Sequence, residues 1–134
     1  MTTFVDTNVL IYLIDQSRPE HAWSQEEFNK CKQAGPVILS DIVYSEFSAG
    51  FRAKLEVDEV VQTLGLERLP MSDDALFAAG QLFKKYKLNG GTRSNVLSDF
   101  LIAAQVESVG ASLLTGNTRD FRKLFPALTL ITPP

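Results

Sequence analysis

The sequence predicts an α/β protein, a three-layer α/β/α sandwich with a mostly parallel central sheet, organised as one domain over residues 1–134. Three observations predict it. Short apolar, β-prone runs, namely Phe4-Val5, Val37-Ile38-Leu39 and Ser112-Leu113-Leu114-Thr115, alternate with longer stretches of helical periodicity. The first two runs lead directly into residues that start helices, Asp6-Thr7-Asn8 and Ser40-Asp41. Glycine and proline punctuate the returns, at Ala34-Gly35-Pro36, Gly65 and Gly110. At 134 residues the chain is long enough for one domain with a sizeable core.

Taken in order, Phe4-Val5 reads as the end of a buried strand, and Thr7 or Asn8 starts a helix carrying Val9, Leu10, Leu13 and Ile14. After the break at Ser17-Arg18-Pro19, a second helix runs to about residue 33 with Trp23 and Phe28 on its apolar side. Val37-Ile38-Leu39 is strand two, and Ser40 or Asp41 caps a third helix carrying Ile42, Val43, Phe47 and Phe51, with Glu46 on it. A short fourth helix spans about residues 57–64, and residues 66–69 form a short edge strand stopped by Pro70. Ser72-Asp73-Asp74 caps a fifth helix reaching about Lys87, with apolar positions Leu76, Phe77, Ala79 and Phe83. Asn89-Gly90-Gly91-Thr92 is a loop, and residues 94–98 lead into a sixth helix ending before Gly110. Ser112-Leu113-Leu114-Thr115 is a strand with the exit loop Gly116-Asn117-Thr118-Arg119-Asp120. A turn of helix over residues 121–124 and a last strand over 128–131 follow.

Composition excludes several classes. A net charge of -3 argues against attachment to nucleic acid by bulk charge, though not against a local basic patch. The single cysteine, Cys31, permits no internal disulfide and fits a reducing, cytoplasmic setting. No stretch reads as a signal peptide, and none approaches the roughly 20 apolar residues of a membrane span.

Four acidic residues stand where this topology gathers side chains. Asp6 follows strand one, Glu46 lies on the helix after strand two, Asp99 is near the start of the sixth helix, and Asp120 closes the loop after the Leu113-Leu114 strand. Ligands bind at the carboxyl ends of strands in open parallel sheets. Gathering like charges there is costly without a cation among them, and a hard divalent ion takes oxygen ligands. Each residue also has a plainer reading: Asp6 and Asp120 as helix caps, Asp99 as a helix-start residue favoured by the macrodipole, Glu46 as a solvated helix position. Val43 and Phe47 flank Glu46 and suggest that it turns inward. Other chemistries are poorly supplied. His21 has no second histidine for a zinc site and reads as a surface residue, Cys31 has no motif around it, and Gly90-Gly91 lacks the lysine and spacing of a P-loop. An aspartyl-phosphate enzyme also places an aspartate after strand one, but such phosphatases usually repeat it two residues on, where this chain has Asn8.

Phe4-Val5-Asp6-Thr7-Asn8-Val9-Leu10 resembles the opening of a PIN domain of the VapC type. Ser45-Glu46-Phe47 with Gly50 resembles that family's glutamate helix. Asp99-Phe100-Leu101-Ile102-Ala103-Ala104 resembles its Asp-x-x-Ile-Ala-Ala segment, and the stretch from Leu114 to Phe121 its closing Thr-x-Asn-x-x-Asp-Phe block. The four blocks stand in the family's order and cover essentially the whole chain.

The resemblance implies a Mg²⁺-dependent endoribonuclease, with Mn²⁺ able to substitute. It implies the toxin of a toxin–antitoxin pair, a cytoplasmic homodimer silenced by a cognate antitoxin. Asp6, Glu46 and Asp99 would be metal ligands, and Asp120 an outer or water-mediated fourth acid at the catalytic site. Asn117 competes for that fourth place; Thr115 and Asn8 would be supporting donors. One or two ions, about 3.5–4 Å apart if two, would activate water for hydrolysis of an RNA phosphodiester. Substrate grip would fall to Arg93 and Arg119, with Lys84, Lys85 and Lys87 either joining them or forming an ordinary solvated face. An RNA-processing or DNA-directed nuclease, or a non-catalytic module on the same fold, are the alternatives.

Overall fold

The computed structural model describes residues 1–93 and 96–134. Along the chain run β1 (Thr3–Val5), α1 (Thr7–Ile14), α2 (His21–Ala34), β2 (Val37–Leu39), α3 (Asp41–Ser48) and α4 (Lys54–Leu64). Then follow β3 (Glu67–Arg68), α5 (Asp73–Leu88), α6 (Leu97–Val109), β4 (Ser112–Leu114), α7 (Thr118–Leu124) and β5 (Leu130–Ile131). Among the described residues no helix is long and apolar enough to cross a membrane.

The five strands form one sheet in the order β3-β2-β1-β4-β5, and every pairing is parallel. Every residue of β1, β2 and β4 is buried, so helices cover both faces and the middle strands never meet water. Register sets Phe4 between Ile38 and Leu113. The edges are β3, whose two residues are charged and exposed, and the short β5. β3 is too short and too charged, and β5 too short, to recruit another strand readily. The strand order reverses between β1 and β4, where side chains at the strand ends have room to converge.

Local chemistry explains where elements begin and end. The Ser40 and Ser72 hydroxyls accept from the Val43 and Ala75 N–H groups and cap α3 and α5. Gly65 and Gly110 close α4 and α6 with φ near +65° and +69°, a left-handed turn that glycine adopts without a Cβ penalty. The buried Gln105 amide donates to the Leu69 carbonyl at 2.8 Å and ties α6 to the exit of β3.

Several boundaries and faces differ from expectation. Helix α3 stops at Ser48, so Phe51 lies beyond it and stacks edge-on against Phe47 at 4.9 Å. Helix α4 starts at Lys54, because Glu56 reaches back to accept from the Ala53 N–H at 3.1 Å. On α5 the expected apolar positions Leu76 and Phe77 are 43% and 69% exposed, while Ala75 and Ala79 are buried. Small residues there turn inward, and the larger Leu82, Phe83 and Tyr86 complete the inner stripe one turn later. Strand β5 is only Leu130–Ile131, since Leu128 is held in a turn by the Phe125 carbonyl. Of the expected lead-in to α6, Ser94 and Asn95 lie outside the described residues.

Candidate active site

The site begins one residue past β1. The Asp6 N–H donates to the Leu114 carbonyl at 2.9 Å, so the ladder with β4 carries Asp6 to the sheet edge before the chain turns into α1. Asp6 is only 6% exposed and caps α1. One carboxylate oxygen accepts from the Thr7 N–H at 2.8 Å. The other accepts from the Thr115 hydroxyl at 2.7 Å and the Asn8 amide at 3.2 Å. Asn8 is fixed in turn, because its carbonyl oxygen accepts from the Gly116 N–H at 2.9 Å. A flipped Asn8 amide would set donor against donor at Gly116 and acceptor against acceptor at Asp6. Gly116 is required: a Cβ there would lie 2.8 Å from the Tyr12 ring.

A continuous polar chain extends from Asp6 in both directions. Towards α3, the Thr7 hydroxyl donates to Glu46 at 3.0 Å. Glu46 is exposed rather than turned into the core, and its carboxylate folds back along α1 to reach this contact. Towards β4, the Thr115 hydroxyl accepts from the Asn117 N–H at 2.9 Å, and the Asn117 amide lies 3.4 Å from Asp120. Asp120 is in the first turn of α7, not in the loop before it, since α7 starts at Thr118 with Asn117 as its cap residue. Arg93 then spans two acids, with one guanidinium nitrogen 3.2 Å from Asp120 and another 4.0 Å from Asp99.

The electrostatics mark these carboxylates as one group. Burial pushes the Asp99 carboxyl up to about 6; Asp6, Glu46 and Asp120 push the same way, and Arg93 opposes them. Burial also raises Asp6, against the hydrogen bonds from Thr115, Thr7 and Asn8. It raises Glu46 too, with Thr7 opposing and the Asp6 charge adding to the rise. Negative charge at this edge is therefore under-compensated.

All four predicted acids reach the same edge, with Thr115, Asn8 and Asn117 between them. Arg93 is inside the cluster, bound to two of its acids, while Arg119 is exposed. His21 is half-buried, with Nδ1 2.8 Å from the Tyr12 carbonyl oxygen, so it ties α2 to α1 instead of standing free. Thr7 and Gly116 hold the site together and were not singled out as site residues by sequence reasoning. The Asp-Thr-Asn run held the signal for Thr7, because a hydroxyl one residue past a strand-end acid shares its edge.

As a donor set, four carboxylates with oxygen-bearing neighbours suit a hard divalent cation. Among the described residues, no three His, Cys, Asp or Glu side chains stand closely enough together to enclose one ion as arranged. A guanidinium bridges two of the four acids.

A PIN-domain family model matches residues 3–124. Solved structures give the same fold. A chain of VapBC2 from Rickettsia felis, bound to a DNA fragment from its promoter, superposes with a TM-score of 0.78 at 22% identity, covering 100% of both chains. A chain of VapBC-1 from nontypeable Haemophilus influenzae gives 0.74 at 23% identity over 98% of each. The Mycobacterium tuberculosis VapC20, a sarcin-ricin loop cleaving toxin, gives 0.65 at 16% identity over 98% of this chain and 99% of that one. No curated protein matches in sequence.

Proposed function

We propose a function on the premise that this chain belongs to the PIN-domain family. It is a metal-dependent endoribonuclease, the toxin of a VapC-type toxin–antitoxin pair, working as a cytoplasmic homodimer and silenced by a cognate antitoxin. One observation carries the nuclease reading: Asp6, Glu46, Asp99 and Asp120, drawn from four separate parts of the chain, share one sheet edge, where the other three raise the proton affinity of Asp99 and Asp6 raises that of Glu46. The likeness to chains of toxin–antitoxin complexes supports the toxin reading, and the RNA-cleaving activity of the Mycobacterium tuberculosis neighbour supports RNA as substrate.

Asp6, Asp99 and Glu46 would hold Mg²⁺ or Mn²⁺, with Asp120 acting through water. When bound, such an ion supplies Lewis acidity to the phosphate and lowers the pKa of water towards neutrality. The chain's own residues do the positioning. Thr115 and Asn8 fix the orientation of the Asp6 carboxylate, leaving its remaining lone pairs free for a ligand. Thr7 holds Glu46 beside it. Asn117 steadies Asp120 from one side. Lys85, Arg93 and Lys123 line a groove of about 520 Å³ with Tyr86 and Gly91. Those cations grip the backbone of a single strand leading to the acids, and the overall charge of -3 leaves such a local patch as the source of grip.

The test is cleavage of single-stranded RNA with Mg²⁺ or Mn²⁺, repeated with EDTA. Cleavage that needs the metal and disappears in Asp6→Asn is expected. Cleavage by the native protein that persists in EDTA overturns the metal dependence, and no cleavage with either metal overturns the nuclease reading. For the toxin reading, expression should arrest growth, and co-expression of a small neighbouring frame encoding a DNA-binding protein should relieve it.

A further inference from the structure

We propose that Arg93 is a resident counter-cation of the acidic site: it bridges Asp99 and Asp120 until a divalent cation draws Asp99 away, so the chain sets its own threshold for metal loading. The inference rests on the nuclease reading and adds a regulator of its metal site.

The bridge is asymmetric. Arg93 forms an ion pair with Asp120 at 3.2 Å and a looser one with Asp99 at 4.0 Å. Release of Asp99 therefore breaks the weaker contact and leaves the stronger one in place. The Arg93 side chain is 43% exposed, so withdrawing it from Asp99 uncovers little buried surface. Arginine keeps its charge at any working pH, so at neutral pH a more concentrated positive charge is what displaces it from the acids. A divalent ion carries twice that charge in a smaller volume and accepts several carboxylates at once.

The backbone that presents Arg93 is built in from both sides. Its N–H donates to the Tyr86 hydroxyl at 3.1 Å, and its carbonyl accepts from the Lys87 ammonium at 3.2 Å. Tyr86 and Lys87 belong to the last turn of α5. The Tyr86 ring also packs against Phe100 at 5.7 Å, next to Asp99 on α6. Gly91 allows the loop to lie on that ring, since a Cβ at 91 would meet Tyr86 ring atoms at 2.4 Å. The glycine pair found in the sequence is thus the seat of an arginine and not a phosphate cradle. A groove-lining cation held only for RNA grip would need neither contact with the acids nor this double anchoring.

The test is Mn²⁺ binding to the full chain by calorimetry, without RNA, for the native protein, Arg93→Gln and Arg93→Lys. Arg93→Gln removes the competitor and is expected to bind Mn²⁺ about three- to tenfold more tightly. Its melting temperature without metal falls, and its Mn²⁺-induced rise exceeds that of the native protein. Arg93→Lys keeps a charge without the planar fork and falls between the two. An Arg93→Gln affinity equal to or weaker than native, in a native protein that binds Mn²⁺ and cleaves RNA, overturns this inference alone. A native protein that neither binds Mn²⁺ nor cleaves RNA overturns the nuclease reading and this inference with it.

Discussion

Asp6 at the end of β1 is buried and held by three neutral donors: a backbone N–H, an amide and a hydroxyl. Across the cluster, Asp99 and Asp120 share one half-exposed arginine, and among the described residues only a long contact from Asn117 reaches Asp120 besides. Hydrogen bonds to a charged, buried group are directional and worth about 1.5–3 kcal/mol each. Exposed ion pairs are worth about 0.2–1 kcal/mol and are screened by salt. The contrast teaches that one half of the site is preformed by the fold, while the other is adjustable and answers to whichever cation is near.

Breaking the preformed half should have the largest effect. Asp6→Asn removes the central charge and places an amide donor against the Asn8 amide. RNA cleavage should fall by about 10²-fold or more, from the loss of several kcal/mol of metal-assisted stabilisation. Circular dichroism should show the fold retained. Normal cleavage by this variant would falsify the central role given to Asp6.

Thr115→Val comes next. It keeps the side-chain shape and deletes the shortest donor to Asp6. Mn²⁺ affinity should drop about 10- to 100-fold, as for other partners of metal ligands. An unchanged dissociation constant would mean that Asp6 does not depend on its donors for orientation.

The adjustable half is tested by pH. The Asp99 carboxyl is raised to about 6 from an ordinary 3.8. Between those values the folded state binds more protons than the unfolded chain, so this group's contribution to stability is full below about pH 4 and is lost as pH rises through about 6. Asp99→Asn in the metal-free protein should therefore be nearly neutral at pH 4 and stabilising at pH 7.5, by about 3–6 °C in melting temperature. The same difference at both pH values would remove like-charge crowding as its cause.

The smallest effect concerns coupling. A double-mutant cycle between Arg93 and Asp120 should give about 0.2–1 kcal/mol and shrink as salt rises. The corresponding cycle between Thr115 and Asp6 should be larger and indifferent to salt. Equal values would erase the distinction between the halves.

The layers and central strands were legible because three short apolar runs, each bounded by caps or turns, admit few other arrangements. The four acids were legible because each follows a strand or opens a helix near one. Contacts set by packing were not legible. On α5, Ala79 and Phe83 pack inward as expected, but Leu76 and Phe77 are exposed and Ala75 takes the buried place, although it is the less apolar residue. Asp120 was placed in a loop because Asn117 and Thr118 read as turn residues, whereas α7 has already begun. The ion pairs of Arg93 are not legible, because nothing in Thr92-Arg93 tells which acids the loop will reach. That depends on Tyr86, and on a glycine whose missing Cβ is visible only once the ring is in place.

The strand order also has a consequence in time. Thr115 and Asp6, the two partners in the shortest bond of the site, are 109 residues apart in sequence. Of the five strands, β1 is made first and lies in the middle of the sheet, while its β4 neighbour is made fourth, after helices α1 to α6. Contacts this distant form slowly, because a long loop must close before they can reward it. On a ribosome adding about 5–20 residues per second, Asp6 emerges seconds before the hydroxyl that orients it. The acid edge is therefore completed only after helices α1 to α6 have left the machinery that makes them.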